Sequence, residues 1–218
     1  MTTFDRLDRP RGPFGRLRRA LDNAHAVRRY WGTTEQERPE FEECMNHVAP
    51  PWDTYYRGIT VRATSAVTWR WLCQMRVAPY SYDWIDNFGR RSPRQWTPGA
   101  DELAAGQKIL MIFQVSSFER DQHITMRIHP WLRWFWGDTC CTFRVVERPE
   151  GGDCRLLMIM TVHDRTGAFA RYTGLYALRK YLFPWGELVM VHKQFRTFKQ
   201  LAEATPVTPP AESTERGA

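Results

Sequence analysis

Residues 188–204 read LVMVHKQFRTFKQLAEA. Leu188, Val191, Phe195, Phe198 and Ala202 recur at steps of three and four, which lines them along one side of an α-helix. Lys193, Arg196, Lys199 and Gln200 fall largely off that stripe. Upstream, Pro184 suits a first helical turn, and Glu187 puts negative charge near the helix's positive end. Downstream, Pro206, Pro209 and Pro210 stop the helix near Thr205. A long amphipathic helix that follows a series of strands needs a sheet to lie against.

The strands are upstream. Residues 55–63 (YYRGITVRA) alternate and form the first. Thr64 or Ser65 then offers an N-cap for a short helix filled by Val67, Trp69, Trp71, Leu72 and Met75. Residues 79–96 are irregular and aromatic, with turn signals at Asn87, Gly89, Ser92 and Pro93. Residues 107–118 (QKILMIFQVSSF) read as one apolar strand, and residues 122–128 alternate with Ile124, Met126 and Ile128 on one face. Residues 139–147 and 154–163 form two more strands, joined through Pro149-Glu150-Gly151-Gly152. Their inward sets are Cys141, Phe143 and Val145, then Leu156, Met158, Met160 and Val162. A turn is expected at 164–167, and 169–183 is aromatic, basic and helix-compatible. The aromatic run at 131–136 (WLRWFW) has no assignable place in this pattern.

The chain has 218 residues, enough for one domain with extensions and a substantial core. Net charge is +7, yet residues 1–33 alone carry eight Arg against three Asp. The basic balance therefore belongs mainly to an N-terminal arm, and nucleic acid is not an expected partner. In that arm Phe14, Leu17, Leu21, Ala24, Val27 and Trp31 keep helical spacing. Such a stripe packs on its own domain or, with its arginines, makes peripheral contact with an anionic membrane. Ten Trp among 14% aromatics suit either a thick core or a large apolar cavity. Cys44, Cys73, Cys140, Cys141 and Cys154 form no C-x-x-C pair, so unpaired thiols in a reducing cytoplasm are expected. No apolar run approaches the roughly 18 residues of a membrane span. No metal-ligand spacing, Gly-rich phosphate loop or nucleophile elbow occurs, so neither metal nor cofactor is expected.

Ala66-Val67-Thr68-Trp69-Arg70-Trp71-Leu72-Cys73-Gln74-Met75, followed by Tyr80-Ser81-Tyr82-Asp83-Trp84-Ile85-Asp86-Asn87, resembles the START-like SRPBCC superfamily. The likeness is strongest to bacterial members described as polyketide cyclase/dehydrase-like or hydrophobic-ligand-binding proteins. Cys154-Arg155-Leu156-Leu157 and the helix end at 195–203 (FRTFKQLAE) resemble the same proteins, so the resemblance spans about 56–204. It implies an α+β helix-grip fold of START/Bet-v-like kind, a curved antiparallel sheet wrapped around a long C-terminal helix. The arm would occupy 1–50, the helix-grip domain 51–204, and a disordered tail 205–218.

A helix-grip cavity binds through apolar walls and a few convergent polar groups. Met111, Phe113, Phe143, Met158, Met160, Leu188, Val191 and Phe195 are the candidate walls, with Tyr82, Trp84 and His192 as further ligand contacts. Each apolar candidate is as readily plain core. Tyr80, Tyr82, Asp83 and Asp86 share one loop that can close the mouth. A carboxylate there is either a loop brace or, if desolvated, an acid or base. Tyr82, Asp83 and His192 are the candidate proton carriers; His123 and His163 sit on strands without a telling partner. Three functions fit: binding of a hydrophobic or aromatic small molecule, cofactor-independent cyclisation or dehydration of a polyketide-like or other hydrophobic substrate, and an interaction module built on the arm. The oligomeric state is open.

Overall fold

The computed structural model describes residues 24, 26–38, 48, 53–133, 137–149, 151–163 and 174–206, with backbone alone for 174–180. Six strands form one sheet: β1 (Asp53–Val61), β2 (Lys108–Ile109), β3 (Phe113–Glu119), β4 (His123–Ile128), β5 (Asp138–Glu147) and β6 (Cys154–His163). Their order is β1-β6-β5-β4-β3-β2, and every neighbouring pair is antiparallel. Among the described residues, the α-helices after β1 begins are α1 (Ser65–Cys73), the single turn α2 (Asp83–Asp86) and α3 (Gly174–Glu203).

The period of two sets the faces of this sheet. Ile124, Met126, Phe143, Leu156 and Met158 turn to one side, where Trp69 and Leu72 of α1 and Phe195, Phe198 and Ala202 of α3 meet them in the main core. Phe195, Phe198 and Ala202 have no exposed surface, so the expected stripe faces the sheet. Val162 is only partly buried. The opposite side carries a smaller cluster of Val48, Tyr56, Cys140, Leu157 and Ile159. The curled antiparallel sheet and its long C-terminal helix are the expected α+β helix-grip architecture.

Local chemistry explains several boundaries. The Thr64 hydroxyl caps α1 by accepting from the Val67 amide at 3.4 Å. The β5–β6 turn runs through Gly151 and Gly152, both at positive φ, with the Gly151 amide donating to Arg148 O at 3.1 Å. At the end of α3, the Trp71 indole N–H donates to Thr205 Oγ1 at 2.9 Å, just ahead of Pro206.

Three expectations need correction. First, residues 107–118 are two strands, because Leu110 and Met111 turn the chain at φ 47° and 62°. Neither is a glycine, so the turn had no composition signal. Second, α3 begins ten residues before Pro184, and that proline lies inside the helix. A proline there removes one backbone donor, which a longer packed helix absorbs. Glu187 is therefore in the helix's middle, away from its positive end. Third, the loop 79–96 contains the turn α2.

The N-terminal segment meets the free edge of the sheet. Residues 26–30 are helical, and the Gly58 amide of β1 donates to Trp31 O at 3.0 Å. Tyr30 stacks on Tyr56 on one side of the edge, while Trp31 packs on Phe195 on the other. Val27, a stripe position, is 48% exposed. Cys73, Cys140, Cys141 and Cys154 are buried thiols in no disulfide. Cys44, the aromatic positions 134–136, the turn at 164–167 and the tail from 207 lie outside the described residues. No helix among the described residues is long and apolar enough to cross a membrane.

Candidate functional site

Between the sheet and α3 lies a cavity of about 640 Å³. Phe113, Ile128, Cys141, Phe143, Met158 and Met160 form the sheet wall. Phe183, Met190 and Val191 form much of the helix wall. Ile85, Ile112 and Leu182 sit at the rim, each between 37% and 53% exposed. The strained turn of β2 and β3 contributes Leu110 as well as Ile112.

A few polar groups interrupt these walls: Ser81, Asp86, Thr139, Glu187 and Gln194. Gln194 Nε2 donates to Pro79 O at 2.7 Å and ties the overlying loop to α3. The Ser81 hydroxyl donates to Asp86 Oδ2, while Asp86 Oδ1 is buried with no hydrogen-bond partner. Burial raises the Asp86 carboxyl against that hydrogen bond, and the nearby Asp83 charge adds to the rise. Glu187 is the more enclosed carboxyl. Its Oε2 accepts from Arg57 Nη2, and its Oε1 is buried without a partner. Burial pushes this carboxyl above the ordinary range, with Arg57 partly offsetting the rise.

Arg57 reaches Glu187 because β1 alternates. Tyr55, Arg57, Ile59 and Val61 share the inner face, and Arg57 sits opposite Met158 in the register. Its Nη1 donates to Tyr56 O at 2.9 Å and Arg29 O at 3.3 Å, so the arm helps hold the guanidinium. An arginine at an inward strand position is a sequence signal for a buried acidic partner, and Glu187 lies four residues before Val191 on the helix face.

Phe113, Phe143, Met158, Met160 and Val191 line the cavity together. Leu188 and Phe195 are buried outside its lining. Met111 is 39% exposed and Trp84 76%, and neither is among the lining residues. Tyr82 is the N-cap position of α2, and its carbonyl accepts from the Ile85 and Asp86 amides. Asp83 braces the loop by accepting from the Ser92 amide at 2.9 Å and the Ser92 hydroxyl at 2.5 Å. It borders a smaller polar depression shared with Arg91, Lys193 and Thr197. His192 meets the Trp31 ring edge-on, with centroids 4.7 Å apart. Burial and the nearby Arg196 charge lower its pKa. Tyr82, Asp83 and His192 are thus not among the residues that line the cavity, whereas Asp86 and Glu187 both are. Among the described residues no cluster of three or more His, Cys, Asp or Glu is placed to hold a metal ion.

No family model and no curated protein matches this chain. Several solved structures resemble it in part. A protein of Chromobacterium violaceum is 10% identical over 72% of this chain and 100% of its own, at a TM-score of 0.44. Truncated norcoclaurine synthase from Thalictrum flavum is 10% identical over 73% of this chain and 98% of its own, at 0.43. The di-domain ARO/CYC protein StfQ of the steffimycin biosynthetic pathway is 15% identical over 88% of this chain and 61% of its own, at 0.40. At this level of likeness nothing about ligand or activity passes from them to this chain. By its own strand order, antiparallel pairing and helix-to-sheet packing, the chain has the helix-grip fold that its resemblance to the START-like SRPBCC superfamily implies.

Proposed function

We propose that the protein binds a hydrophobic or aromatic small molecule in the cavity between its sheet and α3. The observation that carries this reading is the cavity itself, about 640 Å³ with mainly apolar walls. That volume falls within the roughly 300–1,000 Å³ of small-molecule sites. Met158 and Met160 suit such a wall, since thioethers adapt to irregular partners. Uptake of an environment-sensitive hydrophobic dye tests it. Met158→Trp should weaken uptake several-fold while the variant remains folded. Equal uptake by wild type and a folded Met158→Trp would overturn the reading.

A second reading is a cofactor-independent cyclase or dehydratase acting on a polyketide-like or other hydrophobic substrate. Asp86 and Glu187 favour it, because both line the cavity and both hold protons more tightly than ordinary carboxyls. Loss of water from a hydrophobic β-hydroxyketone, followed in the absence of any cofactor, separates it from simple binding. Turnover abolished by Asp86→Asn or Glu187→Gln supports it, and turnover absent from the wild type rejects it for that substrate class.

A further inference from the structure

Glu187 is an odd residue for an apolar wall. Its side chain is only 7% exposed and that of Arg57 not at all. One hydrogen bond joins them, from Nη2 to Oε2, and the other carboxylate oxygen accepts none. A buried carboxylate normally fills its acceptor sites, because the water it gave up is otherwise not replaced. There is room beside it. At Gly186, in the same wall, no atom of the described residues, its chain neighbours and its own helix backbone aside, lies within 4 Å of where a Cβ would stand. Of the cavity wall, Phe183, Met190, Val191 and Met158 offer no side-chain donor, and the nearby Tyr55 hydroxyl feels the Glu187 charge without bonding to it.

The charge balance narrows what can fill this site. Arg57 already neutralises the carboxylate, so an ammonium group would lose its hydration and meet the guanidinium as well. A bare hydrocarbon would leave the oxygen unpartnered. A hydroxyl donates to the carboxylate and can equally accept from a protonated carboxyl, so it fits either state.

We propose that the cavity selects neutral hydrophobic molecules carrying an alcohol or phenol, whose O–H bonds Glu187 Oε1 while the apolar body lies against Met158 and Val191. This inference rests on the binding function proposed above and adds a ligand class to it.

The test is calorimetric titration of the full chain at pH 7 with 2-naphthol, 2-methylnaphthalene and 2-naphthylmethylamine, which share one apolar body. The wild type should bind 2-naphthol roughly tenfold more tightly than the other two, the factor that about 1.4 kcal/mol confers. In the double variant Arg57→Met/Glu187→Leu that preference should shrink to about twofold or less, while 2-methylnaphthalene still binds, because an apolar pair in place of a buried ion pair commonly keeps the fold. If that variant does not fold, Glu187→Gln decides. Arg57 would hold its carbonyl oxygen and leave an amide N–H₂ for the ligand. 2-Methoxynaphthalene, a pure acceptor, should then gain on 2-methylnaphthalene relative to wild type. Equal wild-type affinities for the three probes, or a preference that survives in the double variant, would overturn the inference and leave the cavity standing. Binding of none of them would remove both claims.

Discussion

Arg57 on the edge strand and Glu187 in the middle of the C-terminal helix form an ion pair closed off from solvent, the guanidinium Nη2 donating to the carboxylate Oε2. It is the polar joint between the two halves of the grip. Removing one partner strands the other, so Glu187→Ala or Arg57→Ala should each cost about 3–5 kcal/mol. Replacing both with apolar residues of similar size should be nearly neutral or stabilising. Urea denaturation of the two single variants and of Arg57→Met/Glu187→Leu checks this. Additive losses in the double variant would mean that the two side chains are not coupled.

The same carboxyl gives a pH signature of definite sign. Burial raises Glu187 in the folded state, with Arg57 opposing. Its contribution to stability is therefore fully present below the unfolded value, about 4.3, and is lost as pH rises through the folded value. Glu37 runs the other way. Burial opposes ionisation there, but hydrogen bonds from Arg155 and Thr34 win and hold the carboxyl below its usual range. Its contribution is present above about pH 4.3 and is lost as pH falls through the folded value. Stability of wild type relative to Glu187→Gln should thus fall with rising pH, and relative to Glu37→Gln it should rise. Denaturation curves between about pH 3 and 7 distinguish the two slopes. Like signs would refute the assignment for one of the pair.

Gly186 separates stability from binding. It is an α3 residue facing open space, so Gly186→Ala should stabilise by about 0.5–1 kcal/mol through helix propensity alone. Gly186→Leu should stay folded and yet fill the cavity beside Glu187, lowering dye uptake several-fold. Thermal melts and dye titration on the same samples test both statements. A Leu variant that binds dye as well as wild type would show that this part of the wall lies off the binding path.

The grip was largely legible in the sequence, and the polar joint was not. Leu188, Phe195, Phe198 and Ala202 announce their face by helical spacing, and the structure buries all four. The β5–β6 hairpin is equally plain, since two glycines punctuate two apolar alternations. The turn at Leu110 and Met111 was invisible, because tertiary packing imposes a left-handed backbone on residues that do not favour it. The early start of α3 was hidden by Pro184, which reads as a helix beginning. Five of the apolar wall residues were recoverable from strand and helix periodicity. Glu187 was not, because an inward Arg57 signals an acidic partner without saying which one, and this one lies 130 residues away.

The last prediction concerns how the N-terminal segment caps the sheet edge. Gly32 has φ +72°, and a Cβ there would stand 2.1 Å from Gly58 O. That contact is impossible without moving one backbone away from the other. Moving it would break the Gly58 amide bond to Trp31 O and withdraw Trp31 from His192 and Phe195. Gly32→Ala should therefore detach the segment, raise exchange of the Gly58 amide and speed tryptic cleavage after Arg29, which the docked segment ties to Thr54 O and Asp53. Positive φ alone also strains an alanine, by about 1–2 kcal/mol, so the comparison needs a control with the strain and without the clash. Gly89 supplies it, with φ +77° and, its chain neighbours aside, no atom of the described residues within 4 Å of its Cβ position. Gly89→Ala should cost only the backbone term and leave the Gly58 amide protected. If the two variants lose equal stability and Gly58 stays protected in both, the segment does not close the edge of β1.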